Sequence, residues 1–123
     1  MKIYTGNFAN LKTYTKAGLF PISIALSARY YNGATYKELS PEWSYKNDPE
    51  HIYTPKFNGK LGKLNKEAVL GDLSYLSGGK DIVLLCHEKK EEFCHRQLVA
   101  KWIGGVEEFI KPQKQPMNQI MLF

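Results

Sequence analysis

The stretch that most constrains this chain is the apolar run Ile82-Val83-Leu84-Leu85, set between Gly78-Gly79 and a charged loop. A short, uninterrupted apolar run with β-branched members reads as a strand covered on both faces, which is how a central strand of a parallel sheet is built. Parallel neighbours cannot be joined by a tight hairpin. They need crossover connections, and those are usually helical. Both flanks supply such a helix. On the amino-terminal side Asn65 suits an N-cap, Val69, Leu70, Leu73 and Leu76 fall on one helical face, and Gly78-Gly79 stops the helix. On the other side the polar loop from His87 to Phe93 leads into a second helix. It turns Leu98, Val99, Trp102 and Ile103 inward and ends at Gly104-Gly105.

The remaining elements rest on the same kind of signal. Lys2 to Thr5 reads as a first strand ending at the turn-prone pair Gly6-Asn7, and Pro21 to Leu26 as a second strand. Phe8 to Leu19 suits a short irregular helix through Leu11 and Tyr14. Ser40-Pro41 and Asp48-Pro49 each have the form of an N-cap followed by proline. Pro55, Gly59 and Gly62 are expected to break the stretch after Asp48 into short helical pieces. The aromatic residues of this region, Tyr36, Trp43, Tyr45, Tyr53 and Phe57 among them, either cover the sheet or line a cleft. Val106 to Ile110 suits a last short strand. The expected fold is a single small Rossmann-like three-layer α/β domain over residues 1–110, with a mostly parallel sheet of about four or five strands. Residues 111–123 form a proline- and glutamine-rich tail ending in Ile120-Met121-Leu122-Phe123.

Composition narrows the function classes. A chain of 123 residues with 43% hydrophobic and 24% charged residues is an ordinary globular domain rather than a disordered one. It contains no apolar run long enough to cross a bilayer, and Met1 to Tyr4 leads into a polar stretch with no secretory signal pattern, so the expected compartment is the cytoplasm. There, the two cysteines are expected to be free thiols, ligands or catalytic groups rather than a structural disulfide. The net charge of +5 and pI near 9.1 favour an anionic partner, either a phosphate-bearing small molecule or nucleic acid.

In open parallel sheets ligands collect at the carboxyl ends of the strands. That rule selects Thr5 to Asn7, Ser27 to Arg29, and Cys86 to Arg96. The last of these holds the chemistry. Cys86 closes the central strand, and Cys94, His95 and Arg96 open the next helix, whose first N–H groups and positive dipole end face the same crevice. Arg96 adds a cation with a bidentate fork, completing an anion site that would lower the pKa of a nearby thiol. His95 suits an acid or base, and Glu88 suits orienting it or binding a substrate hydroxyl. Cys86, Glu88, Cys94 and His95 are thus the candidate catalytic residues, and Arg96, Thr5 and Arg29 the candidate ligand-binding ones. No metal is expected. Cys86, His87, Cys94 and His95 are the right ligand types for zinc, but they lack a Cys-x-x-Cys knuckle, and adjacent Cys94 and His95 would diverge on a helix.

The sequence Leu84-Leu85-Cys86-His87-Glu88, followed by Phe93-Cys94-His95-Arg96, resembles the domain of unknown function 488 family. Members share a hydrophobic strand ending in Cys, a Glu two residues on, and a Cys-His-Arg triplet opening the next helix. The stretches Lys2 to Thr5, Phe8 to Asn10, Pro21 to Ala25 and Ser77 to Asp81 are also similar to the shorter members, so the resemblance runs from Met1 to about Ile103. It implies the fold and the position of the site, and it names neither a reaction nor a cofactor. Three readings stand beside one another. In the first, the crevice binds a nucleotide or nucleotide derivative, with an enzymatic role for Cys86 or Cys94. In the second, the basic surface holds nucleic acid and the Cys-His-Arg segment only builds the fold. In the third, the apolar tail Ile120 to Phe123 docks on a partner or on a second copy of the chain.

Overall fold

The computed structural model describes residues 1–87 and 94–108. Five strands form one sheet: β1 (Ile3–Asn7), β2 (Phe20–Ser23), β3 (Ala34–Thr35), β4 (Ile82–Cys86) and β5 (Glu107–Glu108), in the order β3-β2-β4-β1-β5. Every pairing among the described residues is parallel. The helices are α1 (Leu11–Lys16), α2 (Glu50–Gly62), α3 (Lys66–Ser77) and α4 (His95–Ile103). β4 lies at the centre, as its apolar run requires, and all five of its residues are buried.

Alternation along β4 divides the core into two layers. Ile82 and Leu84 pack with Ile3, Ile22 and Ile24 beneath α2, α3 and α4, which contribute Phe57, Leu73 and Val99. Val83 and Leu85 face the other way, against Tyr14 and Leu19 beside α1. This is the three-layer α/β arrangement, with one helical layer much heavier than the other.

The expected helices at α3 and α4 are present, with their caps. Asn65 Oδ1 accepts from Ala68 N at 2.9 Å, and Gly78 closes α3 in the left-handed conformation that favours glycine. Elsewhere the elements differ from expectation. β1 runs on through Gly6-Asn7 instead of turning there, because Tyr14 lies against Gly6 where any Cβ would collide with its ring, and Asn7 N donates to Tyr14 Oη at 3.2 Å. Ser40-Pro41 starts no helix. Ser40 Oγ instead donates to the carbonyls of Ile24 and Ala25, tying the chain to the end of β2.

The expected short pieces after Pro49 are one helix of 13 residues with Pro55 inside it. Pro55 lacks only the bond to the carbonyl of His51, in the exposed first turn. The stripe Tyr53, Phe57 and Leu61, repeating every four residues and fully buried against the sheet, outweighs that loss. β3 carries no signal that periodicity detects, since it is two residues long. Of the expected last strand, Glu107–Glu108 is seen, and its end and the tail lie outside the described residues. No helix among the described residues is long and apolar enough to cross a membrane.

Candidate functional site

The carboxyl ends of β2 and β4 open into a crevice of about 300 Å³. Cys86 and His87 reach it from the end of β4, Cys94 and His95 from the start of α4, and Ala25 to Ser27 from the end of β2. The segment between β3 and α2 supplies the opposite wall, including Trp43, Lys46 and Asp48, while Tyr53 of α2 closes the side. Trp43 is 62% exposed, and Lys46 Nζ lies 4.8 Å from the centre of its ring.

Cys94 is the hinge of the site. It is the N-cap of α4 with extended backbone (φ −147°, ψ 149°), so it lies outside the helical screw. Its sulfur accepts from the backbone N–H of Gln97, and Gln97 Oε1 accepts from Cys94 N at 2.8 Å, a reciprocal capping box. The expectation that Cys94 and His95 must diverge is therefore corrected. It assumed both residues to be helical, and with Cys94 extended, its sulfur lies 3.5 Å from His95 Nδ1. Cys86 and Cys94 are joined as a disulfide at the crevice, where free thiols, ligands or catalytic groups were expected rather than a structural disulfide. Convergence of the strand end and the helix cap brings the sulfurs together although the Cα atoms are 7.4 Å apart.

His95 is buried, and its Nε2 lies 2.6 Å from the carbonyl oxygen of Ile24. A carbonyl only accepts, so Nε2 carries the hydrogen and Nδ1 presents its lone pair to the Cys94 sulfur. Burial lowers the imidazole pKa to about 4. The Ile24 carbonyl opposes that shift, and the charges of Arg96, Lys60 and His87 add to it. His87 is tied elsewhere, with Nε2 2.6 Å from the carbonyl of Ser27 and its ring against Phe8.

Arg96 is 4% exposed and is not among the described residues that line the crevice. It donates to the carbonyl of Gly6 at 3.0 Å and to the Cys86 sulfur at 3.7 Å, locking α4 onto the ends of β1 and β4. The guanidinium expected to complete an anion site is buried, and these two bonds hold it inside the fold. Thr5 sits within β1 in register with Leu84, and Arg29 is exposed beyond β2. Neither is among the described residues that line the crevice. Glu88 lies outside the described residues. Cys86, Cys94, His95 and Arg96 are thus brought together, but only the first three reach the crevice. Trp43, Lys46, Asp48 and Tyr53 were not separable by sequence from aromatics and charges with other duties, because the segment that carries the first three has no period.

A family model described as DUF488-N3a, the active DUF488-N3 subclade, matches residues 20–105. That match spans more than half of the chain, so the protein belongs to the DUF488 family. No curated protein and no solved structure matches the chain.

Proposed function

We propose that this DUF488 protein is a cysteine-centred enzyme that binds a phosphate-bearing small molecule, a nucleotide or nucleotide derivative, in the crevice and acts on it with Cys94. One observation carries the reading: Cys86 Sγ, Cys94 Sγ and a His95 ring nitrogen all lie within 4.8 Å of one another on the wall of a ligand-sized crevice at the strand ends. Once the disulfide is reduced, the N–H of Gln97 and the positive end of α4 favour the Cys94 thiolate, whose proton leaves to solvent. The sulfur then bonds to the electrophilic centre of the ligand, the bond to the leaving group breaks, and the leaving group takes a proton from solvent, while the neutral His95 ring, 3.5 Å from the sulfur, holds it in position. Arg96 acts as a positioning residue through Cys86.

The opposite wall suits the ligand class. Trp43 offers an exposed face on which a planar base stacks, and Lys46 beside it supplies a cation for phosphate. Calorimetric titration with adenosine and guanosine mono- and diphosphates tests this. Trp43→Ala and Lys46→Ala are each expected to weaken binding about tenfold, the effect of losing one stacking or charged contact of about 1.4 kcal/mol. Wild-type protein that binds no nucleotide, while holding single-stranded DNA with a steep salt dependence, would replace this reading with the nucleic-acid one.

A further inference from the structure

We propose that, with Cys86 and Cys94 reduced, Cys86 Sγ, Cys94 Sγ and His95 Nδ1 form a three-ligand site for a zinc ion whose fourth position opens into the crevice. This rests on the cysteine-centred reading and deepens it, using the same two sulfurs and the same histidine at the same crevice once the disulfide is reduced.

The geometry supports it at each ligand. The two sulfurs and a His95 ring nitrogen lie within 4.8 Å of one another, and all three residues are buried. In a tetrahedral site with ordinary zinc–sulfur and zinc–nitrogen bonds, neighbouring ligand atoms lie about 3.5–3.8 Å apart. His95 Nδ1 and Cys94 Sγ are already at 3.5 Å. The Cα atoms of Cys86 and Cys94 are 7.4 Å apart, wide for a disulfide, which leaves room for the sulfurs to part after reduction.

The surroundings match those of a metal ligand set. The Ile24 carbonyl holds the hydrogen of His95 on Nε2, which fixes the ring orientation and leaves Nδ1 as a donor to metal, as outer partners of ligating histidines do. Arg96 donates to the Cys86 sulfur from behind, and the Gln97 N–H does the same for Cys94. These contacts occupy the protein-facing sides of the ligands, so the vacant direction is the crevice. Two thiolates and one imidazole are a borderline-soft set that suits zinc better than magnesium or calcium. A coordinated thiol is held as thiolate. Zinc would therefore keep Cys94 charged and place a Lewis acid beside whatever ligand occupies the crevice.

The chemistry balances. A thiol reductant supplies two electrons and two protons to open the Cys86–Cys94 bond and is itself oxidised to a disulfide. Zinc binding then releases the two thiol protons to solvent.

The test uses the full chain, reduced and freed of metal by a chelator that is then removed. Co2+ is titrated in as the spectroscopic probe. The proposal expects one Co2+ per chain, with sulfur-to-cobalt charge-transfer absorption and the visible bands of a four-coordinate ion, displaced by one equivalent of Zn2+. Cys94→Ser and Cys86→Ser should each weaken uptake at least tenfold. The same wild-type protein oxidised to the disulfide, with its fold checked by circular dichroism, should take up none, which removes dependence on how the variants fold. Reduced wild-type protein that binds no more Co2+ than its oxidised form would overturn the proposal. If that protein still alkylates rapidly at Cys94, the metal site falls while the cysteine-centred reading survives.

Discussion

The ends of β1 and β4 are neighbours in one sheet, yet one is plugged and the other opens. At β1 the carbonyl of Gly6 is capped by the buried Arg96, and Tyr14 packs over the glycine. At β4 the strand ends in a cysteine facing a crevice, and across it the end of β2 is held open by Ser40 and His95, which bond the carbonyls of Ile24 and Ala25. The comparison shows how the strand-end rule is narrowed by side chains. Of three strand ends that the rule made equivalent, the largest cation of the segment seals one and thereby fixes the sulfur of the next. Charge near a strand end is thus no guide to where a ligand sits until its burial is known.

Breaking the plugged end should have the largest effect. Arg96→Ala leaves the Gly6 carbonyl without its guanidinium partner and a cavity where α4 meets β1 and β4. It is expected to destabilise the fold by about 3 kcal/mol or more, measured as a drop in the denaturant midpoint. An Arg96→Ala variant as stable as the wild type would mean that the plug is dispensable.

The open end has its own stability signature, because His95 is buried as a neutral ring. Its pKa falls from 6.5 to about 4 on folding, so between those pH values the unfolded chain binds more protons than the folded one. Stability from this group is fully present above about pH 6.5 and is lost as the pH falls toward 4. The loss amounts to roughly 3 kcal/mol over that window for metal-free protein. Denaturation midpoints that stay level from pH 7 to pH 4 in the wild type, or that fall equally in His95→Gln, would contradict the assignment.

The smallest effect on stability belongs to the outer wall. Trp43 is 62% exposed and Lys46 is at the surface, so replacing either by alanine should change stability by no more than about 0.5 kcal/mol. A larger loss would show that the wall holds the fold together rather than a ligand.

Sequence reading went furthest where local signals and tertiary packing agree. The β4 run, the Asn65 cap and Gly78 stop of α3, and the inward face of α4 were legible because burial on both sides, a side-chain cap and a helical stripe each leave a mark on residue order. The long α2 was hidden because Pro55, Gly59 and Gly62 advertise a break that the Tyr53-Phe57-Leu61 stripe overrides. In the candidate site, the grouping of Cys86, Cys94, His95 and Arg96 was legible from the strand–loop–helix pattern. Their separate duties were not. Whether Arg96 reaches solvent depends on Gly6, ninety positions away, and whether Cys94 and His95 converge depends on the cap backbone at Cys94. Those are long-range and conformational facts that no spacing rule contains.

The central claim is that the open strand end holds a reactive sulfur at Cys94, and its thiol pKa tests that most directly. In reduced, metal-free protein, the rate of Cys94 alkylation by iodoacetamide, resolved by mass spectrometry, is measured across pH. A midpoint well below the ordinary thiol value of about 8.5 is expected, set by the α4 cap, with labelling slowed by a bound nucleotide. A midpoint at or above that value, or no labelling of Cys94 until the protein unfolds, would contradict it.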